Sequence, residues 1–101
     1  MQTLPISFTE ADIQEFCERY FVEQLALFGS VLRDDFGVAS DVDILVHFPP
    51  EKTPSFFTMS EMQDHLTKIF GRTVDLRTPE ELSPYFREKV LATALVIYDK
   101  N

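Results

Sequence analysis

The sequence predicts an α/β fold, of the α+β kind, in which helices flank a small mixed sheet. Segments with apolar residues at helical spacing alternate with short apolar segments typical of strands, and prolines or glycines separate them. The chain has 101 residues, 45% of them hydrophobic, which is enough to build one core. We therefore expect residues 1–101 to form a single domain.

The first half of the chain is predicted to start with an amphipathic helix. Thr9 is placed to cap its first turn. After a strand, Ser30 is expected to open a short helix that leads to a second strand. The predicted order is helix, strand, short helix and strand, over residues 9–21, 23–28, 31–35 and 41–48.

The second half begins with a loop, because Pro49, Pro50 and Pro54 cannot donate to a sheet or continue a helix. A helix with apolar residues at helical spacing should follow and end at Gly71. The remaining predicted elements are a strand over 73–77, a short helix starting at Thr78-Pro79, a helix from Ser83-Pro84 to about Ala94, and a strand over 95–98.

Composition excludes several classes of protein. The net charge of −8 argues against direct binding of nucleic acid through a basic surface, and it fits a cationic partner, bound cations or simply good solubility. No apolar run is long enough to span a membrane, and the first five residues lack signal-peptide features. The single cysteine, Cys17, permits no intramolecular disulfide and fits a reducing compartment, so we expect a cytoplasmic protein.

A Gly-Ser turn and two aspartates form the most informative motif. Gly29-Ser30 follows one predicted strand, and Asp41-Val42-Asp43 opens the next after ten intervening residues. Residues two apart on a strand share a face, so the two carboxylates should project together, with Cα atoms roughly 6.5–7 Å apart. Carboxylates suit Mg²⁺, and a glycine turn lets a phosphate approach closely. The motif predicts a nucleoside triphosphate held through metal ions.

Asp75 is the third candidate carboxylate. It lies between Val74 and Leu76, which should face the core if the segment is a strand. If this strand lies beside the one that carries Asp41 and Asp43, three carboxylates converge. Their mutual repulsion would be relieved by bound cations, so the cluster indicates a metal site.

The combined motif consists of Gly-Ser, ten residues, Asp-x-Asp and a later Asp in an apolar strand. It resembles that of the DNA polymerase β-type nucleotidyltransferase superfamily. The short length resembles its minimal branch. The resemblance implies the nucleotidyltransferase fold, metal-dependent catalysis and ATP as a substrate. By position, it makes Asp41, Asp43 and Asp75 the catalytic residues that bind two Mg²⁺ ions.

The same resemblance assigns the nucleotide-binding turn. Gly29 and Ser30 match the family's triphosphate-binding residues, and Arg33 matches a basic residue commonly found three positions after the serine. The family often has Ala before that basic residue and Gly after it, whereas this chain has Leu32 and Asp34. Arg33 is therefore either a phosphate contact or a solvent-facing residue paired with a neighbouring Asp.

Minimal members of this family are often paired with a HEPN-domain toxin that resembles an RNase. The resemblance implies an antitoxin that transfers AMP from ATP to a tyrosine hydroxyl of that toxin and so neutralises it. Two alternatives stay open from the sequence. The chain could inhibit the toxin by binding alone, or it could transfer a nucleotide to a small-molecule or nucleic-acid acceptor.

Other side chains have simpler interpretations. We expect Phe56, Phe57 and Met59 to pack in the core, although a partner contact or a shelf for the nucleotide base is the alternative. Cys17 is expected to be a small core residue, and Arg77 to belong to the solvated surface.

Overall fold

The computed structural model describes residues 5–33, 36–37 and 40–100. Its helices and strands are, in chain order, α1 Glu10–Arg19, β1 Gln24–Phe28, β2 Val42–His47, α2 Phe56–Phe70, β3 Val74–Arg77, α3 Pro84–Thr93 and β4 Leu95–Asp99. Short 3-10 helices span Gly29–Leu32, Pro50–Lys52 and Pro79–Glu81. The alternation of helices and strands confirms the predicted α/β class.

The four strands form one mixed sheet in the order β3-β2-β1-β4. Strand β1 pairs antiparallel with both β2 and β4, whereas β2 and β3 run parallel. Parallel neighbours need a crossover connection, and α2 supplies it. The small mixed sheet predicted from the sequence is therefore present, with β2 and β1 at its centre.

Local signals mark the helix ends, at Thr9 and Gly71 where the sequence predicted them and also at Ser55. The Thr9 hydroxyl oxygen accepts a hydrogen bond from the Asp12 backbone N–H at 3.1 Å and caps α1. Ser55 caps α2 in the same way by accepting from the Thr58 backbone N–H at 3.2 Å. Gly71 ends α2 with φ of 69°, a left-handed conformation that favours glycine.

The core occupies both faces of the sheet. Helices α1 and α2 cover one face, where the alternate residues Val42, Ile44 and Val46 of β2 are buried as predicted. Helix α3 contributes Val90 to the other face, where it packs with Leu45 and a residue of β1. The alternation along β2 therefore leaves Asp43 on the same face as Leu45, beside the area that α3 covers.

The short helix predicted over residues 31–35 is present in part, but it starts earlier and is of the 3-10 type. The structure has a 3-10 helix over Gly29–Leu32, and Ser30 lies inside it instead of opening it. The Arg33 backbone is already extended, and its N–H donates to the Ser30 carbonyl at 2.9 Å, which ends the turn. Residues 34 and 35 of the predicted helix lie outside the described residues.

Core packing was also the wrong prediction for two phenylalanines. Phe56 and Phe57 are each 85% exposed, because both lie in the first turn of α2, ahead of its buried residues. Met59 packs against the core as predicted, and Cys17 is fully buried. Within the described ranges, no helix has both the length and the apolar character needed to cross a membrane.

Candidate active site

Two of the three candidate carboxylates lie side by side in the sheet. Asp43 of β2 and Asp75 of β3 are register partners in the parallel pair. Neighbouring strands lie about 4.8 Å apart, and partners in register project to the same face. Their neighbours Val74 and Leu76 are buried on the opposite face, as predicted. Tertiary pairing thus joins aspartates that are 32 positions apart in the printed sequence.

The electrostatics of Asp43 reflect this crowding. Burial raises the pKa of the Asp43 carboxyl group, and the negative charges of Asp75 and Asp41 raise it further. The positive charges of Arg33 and Arg77 lower that pKa in part. Because the ionised form is disfavoured by its carboxylate neighbours, a bound cation at this position would stabilise it.

Asp41 lies just before β2 and is exposed. Its charge acts on Asp43, two residues further along the chain. Asp41 therefore belongs to the same electrostatic cluster as the two paired aspartates, at its solvent-facing side.

The carboxylate of Asp75 is paired with an arginine. Arg77 Nε donates to Asp75 Oδ1 at 3.1 Å, and Arg77 Nη2 lies 3.4 Å from Asp75 Oδ2. The same guanidinium lies 3.8 Å from Glu81. Arg77, which the sequence analysis assigned to solvated surface, is indeed 46% exposed but is ion-paired. The signal that could have revealed it is its position two residues after Asp75, which gives both side chains the same face of β3.

This ion pair changes one expectation. Among the residues that the structure describes, no three His, Cys, Asp or Glu side chains are close enough together to hold one metal ion. The predicted pairing of the two strands and the interaction between the aspartate charges are therefore present. The three carboxylates are not grouped closely enough to act as ligands of one ion. The oxygens of Asp75 instead accept hydrogen bonds from Arg77.

Gly29 packs directly against Asp43. It has φ of 77°, and a Cβ atom placed on it would lie only 2.3 Å from Asp43 Oδ2. A side chain at this position would collide with the carboxylate, so only glycine permits the turn to approach it. The approach follows from the sheet register, because Phe28, which precedes Gly29, is the antiparallel partner of Asp43.

Ser30 and Arg33 complete this side of the site. Ser30 is half-buried in the 3-10 helix next to Gly29. Arg33 is exposed, and its positive charge lowers the pKa of Asp43. The positively charged side chain of Arg33 is thus close enough to act on the Asp43 carboxylate. A residue that contacts phosphate at this site would need to lie this close.

The donor set fits divalent cations and a phosphate chain. Asp41, Asp43 and Asp75 carry the carboxylate oxygens that Mg²⁺ prefers, and the negative charges around Asp43 favour a cation beside it. Because Gly29 has no side chain, the backbone of the turn comes close to the Asp43 carboxylate, as a phosphate-binding turn beside a metal ligand would need to. These are properties of a site for a metal-bound nucleotide.

Comparison with known families agrees with this description. Residues 12–97 match the family described as "Nucleotidyltransferase domain". The chain belongs to this nucleotidyltransferase family. The match confirms the resemblance inferred from the Gly-Ser and Asp-x-Asp motifs, and it includes every candidate site residue. The roles of the individual residues remain predictions.

One curated relative of this nucleotidyltransferase aligns over nearly its whole length. The protein adenylyltransferase MntA of Thermococcus cleftensis is 33% identical over 91 residues, which cover 90% of this chain and 90% of the relative.

Two solved structures share the fold. A toxin–antitoxin structure with AMP-PNP has a TM-score of 0.73 at 20% identity. The matched region covers 93% of this chain and 76% of the chain in that structure. A structure of the tri-AMPylated HEPN toxin of Shewanella oneidensis with its MNT antitoxin has a TM-score of 0.65 at 20% identity. The matched region covers 90% of this chain and 70% of the chain in that structure. At this identity, the likeness confirms the nucleotidyltransferase fold.

Proposed function

We propose that this chain is an antitoxin nucleotidyltransferase that transfers AMP from Mg-ATP to a tyrosine hydroxyl of a HEPN-type toxin. The observation that carries the proposal is the position of Asp43, which lies between the glycine turn at Gly29 on one side and Asp75 on the other. In that order, the glycine turn, a central carboxylate and a second carboxylate form one row across three elements, which supports a phosphate-binding role for the turn.

The relatives supply the substrate class. The Thermococcus cleftensis relative is a protein adenylyltransferase, one neighbour in fold is a toxin–antitoxin pair with an ATP analogue, and another is an MNT antitoxin with a tri-AMPylated HEPN toxin. ATP, a protein acceptor and a HEPN partner therefore form the most economical assignment for this chain.

The transfer forms one bond and breaks one bond. The tyrosine oxygen bonds to the α-phosphorus of ATP, the bond from that phosphorus to the bridging oxygen of the β-phosphate breaks, and pyrophosphate leaves. Gly29 and Ser30 would bind the phosphate chain, and Arg33 would balance its charge. Asp75 would orient the hydroxyl group and accept its proton, which then passes to water.

Asp41, Asp43 and Asp75 would hold two Mg²⁺ ions. When bound, these ions supply Lewis-acid activation of the hydroxyl group and neutralise charge on the departing pyrophosphate. For Asp75 to take part, its oxygens must exchange Arg77 for metal or acceptor. Arg77 lies at the chain surface, so this exchange needs a side-chain rotation and no change in the fold.

The experiment is to incubate the purified chain with Mg-ATP and the HEPN-type protein encoded beside it, and to weigh that protein by intact mass spectrometry. We expect a gain of one or more AMP groups, with loss of the toxin's RNase activity. Asp43→Asn should reduce the transfer about 100-fold or more, by analogy with the loss of one key electrostatic group. Asp64→Asn, which changes an exposed carboxylate on α2, is the matched control.

The outcomes separate the alternatives. An inhibited but unmodified toxin would replace the proposal with inhibition by binding alone. AMP transferred to small molecules or nucleic acid, with none on the toxin, would overturn the acceptor assignment.

A further inference from the structure

A cleft opens beside Asp75 on the side away from the glycine turn. It has a volume of about 360 Å³, and its lining includes Phe56, Met59, Gln63, Asp75 and Arg77. The candidate catalytic carboxylate thus forms part of its wall. The cleft lies where α2 begins and β3 ends, on the edge of the sheet that β3 forms.

Phe56 is the unusual residue in this wall. It is 85% exposed, and a large apolar side chain so accessible gains little from folding. Phe57, the next residue, is equally exposed but faces a different hollow, between α1 and α2, which contains no candidate site residue. The two phenylalanines differ in surroundings and not in exposure, which makes Phe57 a natural control.

Hydrogen bonds hold the cleft in shape. Ser55 caps α2 immediately before Phe56, and the Met59 N–H donates to the Ser55 carbonyl at 3.0 Å. Gln63 Oε1 accepts from the Leu76 backbone N–H at 2.9 Å and so ties α2 to the edge strand next to Asp75. A wall fixed at both ends is suited to orient a ligand, because little order must be gained when the ligand binds.

The order of the strands decides which ligand belongs here. The glycine turn follows β1, Asp43 is on β2 and Asp75 is on β3, so the phosphate side and the cleft flank Asp43 on opposite sides. In phosphoryl transfer, the attacking oxygen enters in line with the leaving group and opposite to it. If pyrophosphate leaves on the side of Gly29, the acceptor must arrive from the side of Asp75.

We infer that this cleft is the docking site for the acceptor tyrosine, with Phe56 as a specificity-determining residue. The inference rests on the proposed function. Phe56 and Met59 offer an aromatic face and a thioether to a phenol ring, and Asp75 offers its carboxylate to the hydroxyl group. An aliphatic hydroxyl would lack the ring contacts, so serine and threonine are poor acceptors.

Tryptophan fluorescence tests the inference directly, because the natural chain contains no Trp. In the Phe56→Trp variant, we expect the HEPN-type partner to change the emission, and AMP-PNP with Mg²⁺ alone to leave it unchanged. In the Phe57→Trp control, neither addition should change the emission. Emission that responds to AMP-PNP and not to the partner would overturn the inference and assign the cleft to the nucleotide.

Kinetics provide the second arm. Phe56→Ala should raise the acceptor KM about 10-fold while the KM for ATP stays unchanged, and Phe57→Ala should change neither. Equal effects of the two alanine variants on the acceptor KM would contradict the assignment of Phe56. A different result is that the wild-type chain transfers AMP, with the transfer lost in Asp43→Asn and normal in Phe56→Ala. That result would reject the docking site and leave the proposed function intact. An absence of transfer by the wild-type chain would reject the proposed function.

Discussion

Asp43 and Asp75 are register partners on adjacent parallel strands, although 31 residues separate them in the chain. Their charges interact, and the interaction contributes to the raised pKa of Asp43. Such a pair is unfavourable in the absence of a bound cation, because the negative charge of Asp75 disfavours ionisation of Asp43. A fold that keeps two aspartates together at this cost is expected where a metal ion or a positive ligand group binds.

Gly29→Ala should abolish transfer by displacing Asp43. The substituted residue would have φ of 77°, which costs about 1–2 kcal/mol, and its Cβ atom would collide with Asp43 Oδ2. Gly71→Ala is the matched control, since φ is 69° there and, among the described residues outside its own stretch of chain, nothing lies within 4 Å of the added Cβ. Urea unfolding should show similar destabilisation in both, whereas only Gly29→Ala should lose transfer. Normal transfer in Gly29→Ala would refute the predicted role of the turn.

Asp43→Asn should stabilise the metal-free protein at neutral pH. The pKa of Asp43 is raised above its ordinary value of 3.8, so the folded state holds this proton more tightly than the unfolded chain does. The contribution of Asp43 to the free energy of unfolding therefore falls as pH rises from about 3.8 through the higher folded pKa, and the loss persists above it. Removing the charge should recover about 1 kcal/mol or less, because the carboxylate is only partly buried.

Urea unfolding of the wild type, Asp43→Asn and the Asp64→Asn control across this pH range measures the effect. The difference between wild type and Asp43→Asn should widen as pH rises, and the control should run parallel to the wild type. Adding Mg²⁺ should raise the stability of the wild type and leave Asp43→Asn nearly unchanged. A constant difference at all pH values would show that the charge of Asp43 is not the cause.

Arg77→Gln should tighten Mg²⁺ binding several-fold. Arg77 is hydrogen-bonded to Asp75, so metal and guanidinium compete for the same oxygens. Because both side chains of the pair are more than a third exposed, we expect the free energy of unfolding to change by only about 0–1 kcal/mol. Isothermal titration with Mg²⁺ would measure the affinity, and Lys68→Gln removes the same charge from a distant part of α2. Weaker binding in Arg77→Gln would mean that Arg77 supports the metal site instead of competing for it.

Cys17 should be inert in the folded protein. Its side chain is fully buried, and burial raises the pKa of the thiol from 9.0 to about 12. The thiolate fraction at pH 8 should therefore be about 1,000-fold lower than in the unfolded chain. Burial also keeps the reagent from reaching the sulfur atom. Reaction with a disulfide reagent should be slow in buffer and fast in denaturant. Rapid reaction of the native protein would indicate that α1 opens away from the sheet.

The sequence predicts the structure correctly where the cause is local. The caps at Thr9 and Gly71 and the alternation of Val42, Ile44 and Val46 are set by residues within a few positions of each other. The same holds for the Gly-Ser and Asp-x-Asp spacing, which indicated the family now confirmed for residues 12–97.

The structure differs from the prediction where the cause is a competing contact. The 3-10 helix at Gly29–Leu32 replaced the predicted helix over 31–35, since the Arg33 N–H closes on Ser30 and the backbone then extends. Phe56 and Phe57 are large and apolar, which favours burial, but they lie in the first turn of α2, ahead of its buried residue Met62. Hydrophobicity alone does not say which face the sheet will cover.

The amino-acid sequence alone was sufficient to specify the strands, the alternation of buried and polar residues along them, and the residue types that attract Mg²⁺ and phosphate. It could not specify that β3 would pair in parallel with β2 and align Asp75 with Asp43, or that Arg77 would occupy the oxygens of Asp75. It also left open that Gly29 would press against Asp43. The physical reason is range: helix caps and strand alternation depend on neighbours in sequence, whereas register, ion pairing and close approach depend on segments that meet only when the sheet assembles.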